Sequence, residues 1–442
     1  MSKSFRGGVH PEDHKSLTSN KPIEKLPLPQ KVIIPVSQHI GAPGIPVVKV
    51  GESVKKGQLI AKDDAFITSW VHASISGKVV DIAEYESSLR SRSLSIVIES
   101  DGLDEWVEGL PLQRDWEKLE PAEIHKIIRE AGIVGLGGAN FPTHVKLSYG
   151  PEKKIDTILL NASECEPYLN SDYRLMIEQT DRIVTGVKIA MRSLGVGRVI
   201  VGVEDNKPEA VKVFTEAFKG MNVKVVAIPT KYPQGAERML IKVLTGREIP
   251  AGGRHSDIGI VGLNVGTIVA VANAVVNGIP LIERITTVTG DAVKEPKNLS
   301  IRIGTRFKDA IDFCGGFSKT PEKIINGGPM MGYAQSTLDV PVIKGVAGIL
   351  VMSSEALSHD EESPCIRCGK CVEVCPIGLV PSMLSILSER DRYAEAKKDY
   401  GLMNCIECGS CAYVCPSKRN IVQYVRYAKS QNWAHSSKGT HS

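Results

Sequence analysis

Apolar residues along this chain fall into successive rhythms, and each rhythm predicts a different kind of element. Residues 1–30 have none: they are polar and end in the proline-spaced KPIEKLPLPQ, poor material for helix or sheet. An extended N-terminal arm is expected there, either partly disordered or laid across its own domain or a partner. From 31 to about 100, short β-like runs are broken by glycine (KVIIPVSQHIGAP, PVVKVGESVKKGQLIAKDD, WVHASISGKVVDI, SLSIVIES), which predicts a small all-β module over 31–105. A helix over 121–131 is stopped by Gly132. Strand and helix then alternate: DTILLNA, a helix over 175–194, RVIVGVE, a helix over 209–218, VKVVAIP and a helix over 236–244. That order is the signature of a doubly wound parallel sheet, placed within 115–282. The uncharged run 258–282 is long enough to cross a bilayer. Its Asn264, Asn273 and Asn277, with several glycines and Pro280, read better as a buried strand, a loop and a short helix of the same domain. An apolar stripe over 379–400 predicts a helical linker, and 431–442 a disordered tail.

Composition narrows this picture. A chain of 442 residues accommodates two to four domains with ample cores. The formal charge of +4 is spread among interleaved acids and bases, and aromatics are 5%, which argues against nucleic acid as a partner. The opening MSKSFRGGVHPEDHK lacks an apolar h-region, so no signal peptide and a reducing, cytoplasmic compartment are expected.

The cysteines carry the strongest chemical signal. Eight of ten lie in two runs, CIRCGKCVEVCP and CIECGSCAYVCP, each C-x2-C-x2-C-x3-C-P. In two-cluster ferredoxins this spacing gives three thiolates to one [4Fe-4S] cube and the fourth to its neighbour. One cube would take Cys365, Cys368, Cys371 and Cys415, and the other Cys405, Cys408, Cys411 and Cys375. Four-thiolate zinc sites also use C-x2-C pairs. The repeated fourth cysteine followed by proline argues for iron–sulfur instead. Cys165 and Cys314 have no partner in sequence and read as buried structural thiols.

A second signal is GIVGLGGANFPTHVKLS, where Gly135, Gly137 and Gly138 would expose backbone N–H groups to a phosphate or a ring. It is no dinucleotide fingerprint, because a helix precedes it and Asn140 occupies the third glycine position. The strand ending at Leu160 runs into NASECEPYLNSD, setting Asn161, Glu164 and Glu166 at a carboxyl edge of the sheet, where such folds bind ligands.

GLGGANFPTHVK together with ILLNASECEP resembles the flavin and NADH loops of the complex I flavoprotein subunit, usually GRGGAGFPTGLKW and NADExEP, over roughly 120–280. The resemblance implies FMN held by Gly135, Gly137, Gly138, Lys146, Asn161 and Glu164, with Phe141 and Glu166 facing the nicotinamide nucleotide. KYPQGAERMLIKVLTGREIP is similar to the family's AYxCGEETALxxSLEG segment and would bring Tyr232, Gly235 and Glu237 to the same pocket. LNVGTIVAV is similar to NNVETLANV and would offer Asn264 and Thr267 to the flavin phosphate, with Arg254 as a basic nucleotide contact. Glu166, Phe141 and Glu237 are then the expected catalytic group. Ser163, Asn140, Ala236 and parts of 143–145 depart from the family's pattern.

The flanking modules extend the likeness. Residues 31–105 resemble a lipoyl-like barrel-sandwich hybrid, but the turn at 73–79 has no carrier lysine and reads as scaffold. Residues 283–350 are similar to the β-grasp (SLBB) module that follows the flavin domain in complex I, and 355–430 form the two-cluster ferredoxin part. The expected fold class is therefore multidomain α/β and α+β. In its order of modules and its opening FRGGVHPEDHK, the whole chain is similar to the C subunits of Rnf-type ion-translocating ferredoxin:NAD+ oxidoreductases. That likeness implies a peripheral subunit on the cytoplasmic face of the membrane, exchanging electrons among NAD(H), FMN and two [4Fe-4S] clusters. Its implied partners are membrane-embedded and iron–sulfur subunits, with ferredoxin reached through one of them. The alternatives are an NADH-dependent cobalamin reductase and a flavin-less electron-wiring docking subunit. A related sodium-pumping quinone reductase subunit lacks the two cysteine runs.

Overall fold

Strands that are apolar on both sides need cover on both faces, and the alternation after residue 155 supplies it. In a computed structural model, which describes residues 4–89, 92–149 and 153–438 (433–438 as backbone alone), four strands form one all-parallel sheet. Their spatial order is Val223–Ile228, Val199–Glu204, Thr157–Ala162, Ile260–Asn264. Ile158, Leu160, Val201, Val203, Val261 and Leu263 face one side, with Ile183, Val187 and Phe214 of the helices and Ile268 of the helix Val265–Asn277. Leu159, Ile200, Val226 and Ile260 face the other, under Leu240 and Ile241. The helix expected over 175–194 is in fact two, Ser171–Glu178 and Thr180–Leu194, because Gln179 leaves helical geometry at φ −130°. The apolar run of 258–282 is the buried strand Ile260–Asn264 followed by the helix Val265–Asn277, capped at its start by the Asn264 side chain. Among the described residues no helix is long and apolar enough to cross a membrane.

The N-terminal β module is two small sheets. One runs Lys31–Pro35, Arg92–Ser100, Gly77–Glu86, Ser53–Val54, and the other Ile45–Pro46, Leu59–Lys62, Val71–His72. The turn that bears a lysine in lipoyl domains is here fully buried at Ala73, Ser74 and Ile75, and the Ser74 hydroxyl donates to the Ile303 carbonyl of the β-grasp module. A side chain that swings is impossible at such a position, so the module acts as scaffold.

The third unit is a six-stranded mixed sheet. Its edge strand, Ile23–Lys25, comes from the arm and pairs parallel with Lys297–Arg302. The arm is thus no loose tail over its described residues. Asn170 donates to the Lys15 carbonyl and to the Thr18 hydroxyl, both at 2.8 Å, and Val9 exchanges backbone hydrogen bonds with Tyr232 at 2.8 and 2.9 Å. The C-terminal unit holds both cysteine runs. Its linker is two helices, Pro381–Glu389 and Tyr393–Tyr400, broken at Asp391 with φ 55°, and both pack on the terminal helix Ile421–Lys438 through Leu384, Leu387, Ala396, Val425 and Ala428. That helix corrects the tail expected from 431: the backbone is helical to Lys438, and 439–442 lie outside the described residues.

Three units meet at one lysine. Lys344, 1% exposed, extends from the β-grasp module and donates to the Ser69 hydroxyl at 3.0 Å, the Trp70 carbonyl at 2.7 Å and the Gly132 carbonyl at 2.8 Å. Burial lowers its pKa to about 7, and the nearby His72 is held at about 3, by burial first and by Lys344 second. A lysine at 10.5 unfolded and about 7 folded binds fewer protons in the fold between those values, so its contribution to stability is least below about pH 7 and grows above it. Lys344→Met orphans buried carbonyls and should cost ~2–4 kcal/mol. Denaturant unfolding should show the wild-type margin over this variant widening from pH 7 towards 10; a margin independent of pH would contradict the assignment.

Candidate functional site

The glycine loop is held shut at its neck and open at its tip. Gly135 N–H donates to the Phe141 carbonyl at 2.8 Å and Thr143 N–H to the Ile133 carbonyl at 3.0 Å. Between them Gly137, Gly138 and Ala139 are exposed, while Phe141 is half-buried. Asn140, in place of a glycine, adopts φ 52°, a left-handed conformation that asparagine tolerates, and its buried Oδ1 has no partner among the described residues. Leu136 is gripped at both polar atoms: its N–H donates to Thr267 Oγ1 at 2.8 Å, and its carbonyl accepts from Arg284 Nη2 at 2.9 Å.

The sheet's carboxyl edge lies beneath this loop. Asn161 ends the strand Thr157–Ala162, accepting from Ser163 N–H at 3.0 Å and donating to the Gly235 carbonyl at 2.8 Å. Asn264 accepts from Gly266 N–H at 2.8 Å and donates to Asp172 Oδ2 at 2.6 Å. Lys146 donates to the Gly262 carbonyl at 3.2 Å and stands 3.7 Å from Glu237, which is also 3.9 Å from His255. Glu164 is a structural member: its carboxylate accepts from Asp172 N–H at 2.9 Å, Tyr173 N–H at 3.1 Å and the Ser171 hydroxyl at 3.2 Å, capping the helix Ser171–Glu178. Arg254 is exposed, at the start of the short turn His255–Ile258.

Sequence reasoning missed Asp172 and Arg284. Burial first, then Glu164, raises the Asp172 pKa to about 6, and its Oδ1 is buried without a partner among the described residues. It lies in the NASECEPYLNSD segment, so a denser reading of that segment's acids could have found it. Arg284 opens the next module and gives no local signal. The unpartnered Asn140 Oδ1, Asp172 Oδ1 and Arg284 Nε all border the glycine loop or the sheet edge beneath it, beside exposed backbone N–H groups. This donor and acceptor set fits a polyhydroxylated, phosphorylated flavin.

Glu166 and Tyr232, expected against the nicotinamide and the flavin, lie at the joint with the second cysteine run. Glu166 accepts from Met331 N–H at 2.8 Å and Met330 N–H at 3.2 Å, and burial raises its pKa to about 7 against those two bonds. Tyr232, 2% exposed, donates its hydroxyl to the Cys408 carbonyl at 2.7 Å, with Glu166 Oε1 3.4 Å away, and burial drives its pKa upward. The arm seals this joint. Gly8 N–H donates to the Val374 carbonyl at 2.8 Å, and a Cβ on Gly7 would stand 2.7 Å from that same oxygen. Cys165 accepts from Gly235 N–H at 3.3 Å, Cys314 is fully buried, and burial raises both thiols, Cys314 to about 12.

The cysteine runs superimpose in conformation. Arg367 and Glu407 have φ 57° and 56°, and Gly369 and Gly409 have φ 81° and 80°, where a Cβ is disfavoured. Burial first, then Cys408, Cys405 and Cys375, raises the Cys411 thiol, and burial first, with smaller contributions from Cys365 and Cys415, raises that of Cys371. Cys375 of the first run thus lies near three thiols of the second. Cys375, Cys405, Cys408 and Cys411 line one hollow with Leu384, Ile421 and Val425. Leu379 and Glu407 N–H groups approach the Cys375 and Cys405 sulfurs at 3.3 and 3.4 Å. Among the described residues no three His, Cys, Asp or Glu side chains converge as a single ion requires. A hollow rimmed by thiols from both runs, with amides aimed at sulfur, fits a cube. The first run exposes its opening turn, with Cys368 and Ile366 outward and Cys371 and Cys375 buried, whereas the matching Cys408 of the second run is buried. The cleft of about 870 Å³ between residues 26–31 and Arg306 is remote from this chemistry.

Comparison with known proteins assigns these parts. Family models match as "RnfC Barrel sandwich hybrid domain" over 3–103, "Nuo51 FMN-binding domain" over 128–273, "SLBB domain" over 285–334 and "4Fe-4S dicluster domain" over 364–419. The chain is 60% identical over 434 residues to the C subunit of the proton-translocating ferredoxin:NAD(+) oxidoreductase complex of Clostridium ljungdahlii, covering 98% of this chain and 95% of that one. It is 46% identical to the Na(+)-translocating counterpart of Acetobacterium woodii, covering 99% and 98%. Among solved structures an NAD+-reducing [NiFe]-hydrogenase chain in the H2-reduced state is similar in fold, with TM-score 0.50, 19% identity, and 72% and 64% of the two chains covered.

In the cluster-free, reduced chain, iodoacetamide should label Cys368 first and Cys371, Cys375 and Cys408 last, as read by mass spectrometry. Deleting residues 4–9 should speed labelling of Cys375 selectively. Uniform rates would refute this packing.

Proposed function

The chain belongs to the C subunits of ion-translocating ferredoxin:NAD+ oxidoreductase complexes, and from that membership we propose that it passes electrons between NAD(H), FMN and two [4Fe-4S] clusters. It is one subunit of a multi-subunit oxidoreductase and translocase. The observation that carries the reading is the contact from the flavin domain's sheet edge through Tyr232 to the Cys408 backbone at the four-thiol hollow. Neither a corrinoid reductase nor a flavin-free docking protein draws support from these sites.

When bound, the flavin exchanges hydride with nicotinamide and single electrons with an iron–sulfur cube. The exposed Gly137–Ala139 backbone would receive its phosphate, with Gly135, Asn264 and Thr267 fixing that loop from behind. Lys146 would set positive charge beside it, balanced by Glu237 at 3.7 Å, and Asn161 with Gly235 would form the floor. Half-buried Phe141 would offer a face to the nicotinamide. Glu166 and Tyr232 would also close the joint with the second cysteine run. Division into an arm (1–30), a barrel-sandwich (31–105), a flavin domain (115–282), a β-grasp (283–350) and a ferredoxin part (355–430) is part of this reading. So is a peripheral seat on the cytoplasmic face, with membrane-embedded and iron–sulfur subunits as neighbours and ferredoxin reached through one of them.

An anoxic NADH titration of the cluster-reconstituted chain, with FMN and iron quantified on the same sample, tests the proposal. Flavin bleaching followed by cluster reduction is the expected result. Intact clusters with neither flavin nor any response to NADH would leave an electron-wiring scaffold. Crosswise ligation adds a sharper expectation: Cys375→Ser and Cys405→Ser, though in different runs, should each lose the same half of the iron and the same electron paramagnetic resonance signal. Loss of different signals would overturn the ligand sets.

A further inference from the structure

Arg284 belongs by sequence to the β-grasp sheet, in the strand Glu283–Thr289, yet its guanidinium lies in the flavin domain. It is 2% exposed. Its Nη2 donates to the Leu136 carbonyl at 2.9 Å, its Nη1 is so near the backbone that a Cβ on Gly266 would fall 2.9 Å from it, and its Nε is buried without a partner among the described residues. Gly266 is the second residue of the 13-residue helix Val265–Asn277, so a cation has been placed at a positive helix end, where it is disfavoured. The carboxylates that feel it, Asp172 and Glu164, are engaged with Asn264 and with a helix start. A buried charge in such a place requires a compensating use.

The use is at Leu136. With its N–H tied to Thr267 and its carbonyl to Arg284, the peptide groups on either side of Leu136 are fixed, and the next residues, Gly137 to Ala139, emerge exposed. We infer that Arg284 is a positioning residue for the flavin: from the β-grasp module it holds the glycine loop in the conformation that presents backbone N–H groups to the cofactor's phosphate. This rests on the flavin reading above. Grip on the phosphate, and hence preference for the phosphorylated flavin over the bare one, then depends on a residue from outside the flavin domain.

The test is binding of FMN and of riboflavin to the full, cluster-reconstituted chain, followed by flavin fluorescence quenching, in wild type, Arg284→Met and Arg284→Lys. Thermal unfolding and cluster absorbance on the same samples report folding. Arg284→Met should weaken FMN at least ~10-fold, as loss of a charge-assisted bond implies, while riboflavin affinity stays within about threefold. Arg284→Lys, which keeps the charge and one donor, should recover most of the FMN affinity. Equal weakening of both flavins, or no change in either, would overturn the inference while leaving the flavin reading intact. If Arg284→Met does not fold, Arg284→Gln, which lacks the charge, takes its place: a loss confined to FMN supports the inference, and an equal loss of both flavins or no loss overturns it. A wild-type chain that binds neither flavin would sink the flavin reading itself.

Discussion

The hydroxyl that Tyr232 donates to the Cys408 carbonyl is the point at which two chemistries meet, and much of the structure serves to hold it still. Both partners are buried, so the bond is strengthened by a low dielectric and costly to break. Elements from four parts of the chain converge around it. The tip of the β-grasp hairpin offers two N–H groups to Glu166, and its Met330 carbonyl sits where a Cβ on Gly409 would lie at 2.5 Å. Arg426 of the terminal helix donates to the Met331 carbonyl at 2.8 Å and stacks 4.2 Å over Tyr333. The arm pairs with Tyr232 from the remaining side.

What was legible in the sequence was what is encoded locally. The cysteine motif is legible because each run holds four thiols and their turns within a dozen residues. The parallel sheet follows from alternating runs whose strands are apolar on both faces. Glu166 and Tyr232 show what local motif resemblance does not carry: their neighbours Met330, Met331 and Cys408 are distant in sequence and supply what satisfies them. The break at Gln179 was hidden because both helices keep apolar faces on the same core. Arg284 was invisible because its meaning depends on a carbonyl 148 positions earlier.

Long cations recur wherever modules join. Lys15 reaches from the arm to the Glu166 and Leu169 carbonyls, Lys344 from the β-grasp module to Trp70 and Gly132, and Arg284 to Leu136. Each ends on backbone oxygen, with no carboxylate directly bonded among the described residues. Such contacts are directional and fix the angle between modules more narrowly than apolar packing does, at the cost of desolvating a charge. A relay built from separate modules needs its angles fixed.

The seat of the arm also has a consequence for biosynthesis. Residues 7 to 9, synthesised long before their partners, dock on Tyr232 and on Val374 beside Cys375. Their docking site does not exist until most of the chain has been made. The arm must therefore wait, undocked, through synthesis of the barrel, flavin and β-grasp modules, which fold largely as units. It closes over the joint only after the first cysteine run emerges. Closure of the joint is thus a late event, and the backbone at Val374 and Cys375 stays uncovered by the arm until then.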